Sequence, residues 1–426
     1  MRTTVVGVLA ALAMSGVADA QEKEEATPDY ATETLTGDWG GRRTEWFRNG
    51  VALELGMKSD WLRNRGGLAD GGRPMNQLDI KLKTDLEKIW GWTSTTAYIH
   101  FLHDWGNRTN VHNTGSIIGI SNIEWPIDTS RFFQAWLEKR FADDSVGVLI
   151  GLYPFDSEFS ALDSGAVFLH PSFGASPDIS LTRGPSIFNN SAFGTRVKWQ
   201  APGREVYVQG AVLDGIPGDP NRPKGTHIEF NKGDGTFHIV EVGYAPKEPS
   251  PQDAEPPETF AKFSAGYWGY TAKVDDLVDR DSAGSPAKRH SRGWYALAEK
   301  TIWRDAGDAN RNLAAFVRYA ATDGDSTAID HALNLGVRMR GPIASHPDDV
   351  FGLAVTRANI GGKFRQFQST EGIEPTGNES ALEITYRAAV NKWLAIQPVA
   401  QHIRHPGANR AIPDATVYGT RFEVVF

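Results

Sequence analysis

In the stretch QLDIKLKTDLEK, Leu78, Ile80, Leu82, Thr84 and Leu86 alternate with Gln77, Asp79, Lys81, Lys83, Asp85 and Glu87. Period two predicts a strand with one greasy and one charged face. A helical stripe through Leu78, Leu82, Leu86 and Ile89 also fits locally, but it leaves Ile80 on the wet side. The rest of the chain favours the strand. Val51, Leu53, Leu55 and Met57 oppose Glu54, Lys58 and Asp60. Phe133, Ala135 and Leu137 oppose Gln134, Trp136, Glu138 and Arg140. Phe193, Thr195, Val197 and Trp199 oppose Arg196 and Lys198, and Leu382, Ile384, Tyr386 and Val390 oppose Glu383, Thr385 and Arg387.

The connections alternate too. EKIWGWTS, RFADDSVG, WQAPGRE and VNKWLA read as tight turns, whereas roughly 64–76, 103–130, 154–190 and 361–378 read as long polar loops. Short turns at one end and long loops at the other are the layout of a transmembrane barrel, and the count is about sixteen strands. The fold class is therefore all-β, a transmembrane antiparallel β-barrel with both chain ends on the short-turn, periplasmic side. Trp90, Trp92 and Trp393 stand beside turns, where an interfacial girdle belongs. A soluble sandwich would alternate as well, with charge outside. The chain's last stretch, YGTRFEVVF, sets Tyr418, Phe422, Val424 and Phe426 on one face up to the final residue, which soluble chains seldom do. In a membrane the direction of the faces follows from energy. A lysine on the lipid face at mid-bilayer costs about 2–4 kcal/mol, so the Lys81 and Lys83 face belongs to a watery lumen and the Leu78 face to lipid.

The 426 residues carry a net charge of −8, which argues against a nucleic-acid partner. No cysteine is present, so disulfides, thiolate metal sites and cysteine nucleophiles are excluded. Residues 1–20 read as a secretory signal peptide, with Arg2 ahead of an apolar run and Ala18 and Ala20 marking the cleavage site. Residues 21–34 read as a flexible acidic lead-in. No later run is long and apolar enough for a spanning helix. His100 and His103, and likewise His402 and His405, are three apart, so on a strand each pair points to opposite faces and cannot readily share a metal. No nucleophile elbow, phosphate loop or dinucleotide fingerprint occurs. No cofactor or metal is expected.

The stretch LTGDWGGRRTEWFRNGVALELGMKSDWLRN, residues 35–64, resembles the carbohydrate-selective outer-membrane porins of the OprB type. QLDIKLKTDLEKIWGW, WLEKRF, VGVLIGLYPFDSEF, SGAVFLHPSFG, GAVLDG, GWYALAEKTIW, GPIASHPDDVFGLAVTRANI and WLAIQPVAQHIRHPG continue the likeness in order. The resemblance implies a sixteen-stranded barrel, residues 51–426, passing monosaccharides such as glucose across the bacterial outer membrane. It also implies a short helical segment within 35–50 at the periplasmic end. The ending resembles the terminal strand of outer-membrane proteins, so Tyr418, Phe422 and Phe426 are candidates for recognition by the barrel-assembly machinery. Two stretches depart from the family pattern: the proline-rich 247–259, read as a long turn, and 275–293, read as a charged loop.

A pore selects by width, by lining donors and acceptors, and by field. Parity places Lys58, Asp79, Lys81, Lys83, Asp85, Glu138, Arg140, Arg196, Lys198 and Arg387 in the lumen. The loop after the fifth strand is long enough to fold inward, which makes Asp156, Glu158, Asp163 and Arg183 candidates for a constriction. Tyr98 and Trp136 offer apolar faces to a sugar ring, while carboxylates accept from and cations donate to its hydroxyls. The expected partners are mono- or small oligosaccharides and membrane lipid, with a monomer and a homotrimer equally compatible. Two other functions fit the same fold: a general porin without sugar preference, and a barrel hydrolase acting on envelope lipid or glycan.

Overall fold

The computed structural model describes residues 27–203, 205–246, 260–308 and 310–426. The signal peptide, residues 21–26 of the lead-in and the proline-rich turn at 247–259 lie outside the described residues. Sixteen strands form one closed antiparallel barrel in which β1 pairs with both β2 and β16. The first eight are β1 (Val51–Gly66), β2 (Met75–Asp85), β3 (Thr95–Gly106), β4 (Thr129–Phe141), β5 (Val146–Tyr153), β6 (Ala192–Gln200), β7 (Val206–Asp214) and β8 (Thr236–Tyr244). The rest are β9 (Ala261–Arg280), β10 (Pro286–Arg304), β11 (Asn312–Thr322), β12 (Ile329–Arg340), β13 (Val350–Ile360), β14 (Asn378–Asn391), β15 (Leu394–Arg404) and β16 (Ala415–Val425). Closure leaves no unpaired edge, the condition for placing strands in hydrocarbon.

The expected alternation orients the wall. Ile99, Ile150, Val197, Leu335, Leu382 and Ile384 are exposed on the outer surface, whereas Gln77, Asp79, Glu138, Arg196, Glu241 and Glu383 are buried within. Two residues depart from the expected parity: Leu86 is buried, 4% exposed, because the strand ends before it, and Phe133 turns inward. Between His100/Phe101 of β3 and Gln134/Phe132 of β4 the register slips by one, leaving Phe133 unpaired. The bulge turns Phe133 inward, 2% exposed against the rings of His100 and Phe188, and leaves Phe132 outside. The lipid-facing assignment of Phe133 is thereby corrected.

Two connections also differ from expectation. Residues 275–293 are not a loop: β9 and β10 continue through them as a raised hairpin whose turn is only residues 281–285. EKIWGWTS is more than a tight turn, because Leu86–Trp90 forms a one-turn helix capped by Asp85.

At the turn end, helix α1 (Tyr30–Glu33) and helix α2 (Arg42–Arg48) lie against the β1–β16 seam. Arg43 is 2% exposed, with its guanidinium 4.4 Å from the Tyr30 ring centre. It donates to Leu53 O at 3.0 Å and to Phe426 O at 2.7 Å, joining the two ends of the barrel strand order.

Candidate functional site

Residues 154–191, between β5 and β6, fold into the barrel. The segment is rich in aromatic and aliphatic residues, and Phe155, Phe159, Leu162, Phe168, Leu169, Phe173 and Ile179 are all buried. They pack on an apolar patch of inner wall, where Phe155 stacks on Phe237 with centroids 4.9 Å apart and Phe168 meets Phe316 at 5.9 Å. The lumen is therefore not polar all round. Beneath this loop it is a dry interface that fixes the loop by burial.

Polar anchors complete the attachment, and they come from β8, β10, β11 and β14 of the wall. Glu299 accepts from Asp163 N at 2.9 Å and Ser164 N at 2.7 Å. Glu383 accepts from Leu169 N and His170 N, both at 2.8 Å, and Glu241 accepts from Ser160 N at 2.9 Å. Arg318, fully buried, donates to the carbonyl oxygens of Ser160, Ser172 and Gly174 at 2.5, 2.5 and 2.8 Å. An irregular loop buries many backbone groups, and each must find a partner. Acidic and basic side chains of the wall supply them.

The loop between β3 and β4, residues 107–128, also enters. Ile118, Ile120 and Ile123 pack against Leu62, Met75 and Ile403. Glu379 accepts from Ile117 N at 3.1 Å and from Ser116 Oγ. Asp60 takes Ser121 Oγ at 2.6 Å and Arg421 Nε at 2.6 Å. Asn122 N donates to Leu169 O at 2.8 Å, so the two inward loops are bonded to each other.

The four loop residues expected at a constriction are placed differently from one another. Asp156 turns back into its own loop, where both carboxylate oxygens accept from Phe188 N at 3.2 Å. Burial pushes its carboxyl up to about 7 despite that bond. Glu158 is bidentate with Arg196 at 2.7 Å and accepts from Tyr153 Oη at 2.5 Å. Burial pushes Glu158 up, but the charges of Arg196 and Lys198 outweigh it and hold the carboxyl at about 2. Asp163 meets Lys262 Nζ at 3.1 Å. Arg183 instead reaches the long-loop mouth, donating to Asp234 O at 3.0 Å.

The strand residues also divide. Glu138 and Arg196 form a buried pair at 2.8 Å, and Asp79 is bonded to His100 Nε2 at 2.7 Å. Asp85 caps the helix at the turn end, accepting from Glu87 N and Lys88 N. The remainder stay open to the turn-end lumen. Lys81 lies 3.4 Å from Glu54, Arg387 pairs with Glu423 at 2.8 Å, and Arg140 is half-exposed 3.5 Å from Glu138. Lys58 and Lys83 are partly exposed there, and Lys198 lies 5.2 Å from the Tyr207 ring centre. Tyr98 and Trp136, opposite each other on β3 and β4, stack with centroids 5.1 Å apart at 28°. Sequence reasoning named none of the loop anchors Glu241, Glu299, Glu379 or Arg318. A lone acid within an apolar run, as in FHIVEVGY, was the available signal.

A closed barrel with ionised residues turned inward and a loop folded across its bore is the architecture of a diffusion porin. The profile of the carbohydrate-selective porin, OprB family, matches residues 69–426, and the chain belongs to that family. Porin B of Pseudomonas aeruginosa is 28% identical, over 99% of this chain and 97% of that protein. The putative porin QuiX of Acinetobacter baylyi is 25% identical over 92% and 93%. The high-pH structure of Pseudomonas putida OprB superposes with a TM-score of 0.82 at 22% identity, covering 94% of this chain and all of that one. These are channels rather than enzymes, and the hydrolase reading falls with them.

Proposed function

We propose that this carbohydrate-family porin passes glucose-type monosaccharides from the outside of the bacterial outer membrane to the periplasm. The long loops face outward in this reading, and the signal peptide directs export. One observation carries it. The loop pinned across the bore leaves a turn-end lumen in which the stacked Tyr98 and Trp136 pair stands near Glu54, Lys81 and Lys83. That set offers a pyranose what it binds: an apolar face for its C–H side, with cations and carboxylates for its hydroxyls. Asp156, Glu158 and Asp163 act in this reading by holding the loop, so width is set by loop position and contact chemistry by Lys81, Lys83, Tyr98, Trp136, Arg140 and Arg387.

Conduction requires weak binding, on the order of −4 kcal/mol, which is millimolar affinity. Reconstitution in a planar bilayer tests the proposal. Millimolar glucose should reduce single-channel current reversibly, and an open channel indifferent to glucose would point to a general porin instead. The outward terminal stripe of Tyr418 and Phe422, ending at Phe426, supports reading β16 as the segment that the assembly machinery recognises.

A further inference from the structure

A second cavity lies at the long-loop end, apart from the turn-end lumen. It measures about 400 Å³ and is enclosed by three loops: Trp125 from 107–128, the stretch Arg183–Asn190, and residues 216–227 between β7 and β8. Its volume falls within the roughly 300–1,000 Å³ typical of small-ligand clefts. The lining is mixed: Trp125, Ile187 and Phe188 are apolar, while Arg183, Asn190 and Asp219 carry donors and acceptors.

The walls are held in place before any ligand arrives. Arg183 is fixed by Asp234 O and lies 5.8 Å from the Tyr270 ring centre. Asn190 Nδ2 donates to Pro217 O at 3.3 Å, and Arg222 pairs with Asp219 at 2.8 Å. Gly225 N donates to Thr129 Oγ1 at 2.9 Å, tying the outer wall to β4. Prolines 185, 217, 220 and 223 stiffen the same walls. Preorganisation of this kind lowers the entropic cost of binding.

Two features distinguish the pocket from a packing defect. The Trp125 ring is only partly buried and presents its surface to the cavity. The guanidinium of Arg131, 4.6 Å from the Trp125 ring centre, fixes that ring's position. Among the described residues Arg183 has no carboxylate partner, so its charge is not already neutralised by an ion pair.

We propose that this cavity is an encounter subsite for a pyranose, in which the sugar packs against Trp125 and Phe188 and accepts from Arg183 or Asn190 before it meets the constriction. The inference rests on the sugar-channel reading above and deepens it, because it gives the channel a capture step at its mouth. Arg183 then acts here, at the entrance, rather than at the narrowest point.

The test uses the full-length protein in planar bilayers, with glucose added on the long-loop side, and follows folding by heat-modifiable gel migration. Folded Trp125→Ala should need about fivefold more glucose for half-maximal current reduction, the size expected for losing one aromatic contact, and Trp125→Phe should recover part of it. Equal glucose sensitivity in folded Trp125→Ala and the parent would overturn the subsite while leaving the sugar channel standing. A parent channel blind to glucose would overturn both. Because the chain has no cysteine, Asn190→Cys gives an independent readout that does not require removing the indole. Glucose should slow its modification by a small methanethiosulfonate reagent severalfold, and an unchanged rate would count against the pocket.

Discussion

Arg196 faces the lumen yet is 4% exposed, because Glu138 and Glu158 enclose its guanidinium. A guanidinium enclosed in this way contributes little field to the bore, whereas Lys83 and Arg140 keep part of their surface exposed to the lumen. Ion selectivity should therefore depend on the second kind. Lys83→Glu with Arg140→Glu should shift the reversal potential in a salt gradient toward cation preference while the barrel still assembles. Arg196→Glu would instead place three carboxylates together and dislodge the loop. Parity identified Lys83, Arg140 and Arg196 as inward, and it could not say which of them would be buried. Asp156 gives a pH dependence of definite sign. Its docked carboxyl is raised to about 7 from an ordinary 3.8, so it is protonated in both docked and released loop below that ordinary value. As pH rises between about 4 and 7 the released loop loses its proton first, and docking weakens until both forms are ionised. Loop-dependent current flicker should grow across that window, and Asp156→Asn should flatten the dependence.

The inward loop is the element that makes this barrel a selective object. Its burial was expected from length alone, but its means of attachment was not. Glu241, Glu299 and Glu383 come from β8, β10 and β14, and nothing in their local sequence says that backbone N–H groups 81, 135 and 214 residues away will meet them. Glu383→Gln keeps the shape of its side chain but replaces one acceptor oxygen with a donor that opposes the N–H group of either Leu169 or His170. Docking should weaken by about 1–3 kcal/mol. The expected signature is added gating noise and faster proteolysis within 154–191, and a variant as quiet and resistant as the parent would remove Glu383 from the anchor. The raised hairpin at 275–293 carries a related lesson. Its charges made it read as a loop, yet its backbone pairs as strand, because above the membrane charged residues suit both faces of a ribbon.

At the scale of the molecule, stability depends on closing the ring. The β1–β16 seam joins segments far apart in the chain, and Arg43 bridges it by donating to Leu53 O and Phe426 O. Arg43→Ala should remove about 2 kcal/mol of this fastening, since bonds from a charged donor are worth roughly 1.5–3 kcal/mol. The temperature at which the folded band disappears on a gel should fall by several degrees, and an unchanged temperature would deny the clasp its role. The sequence alone determined the barrel, its strand number and the direction of its faces. Alternation is local, and the cost of a charge in hydrocarbon leaves one orientation for each strand. Tertiary structure alone decided the inward turn of Phe133, which a bulge caused against local pattern. It also decided which lumen charges stay exposed and which are buried against loops, and where three distant loops line a cavity. These depend on pairings between residues far apart in the chain, and no periodicity records them.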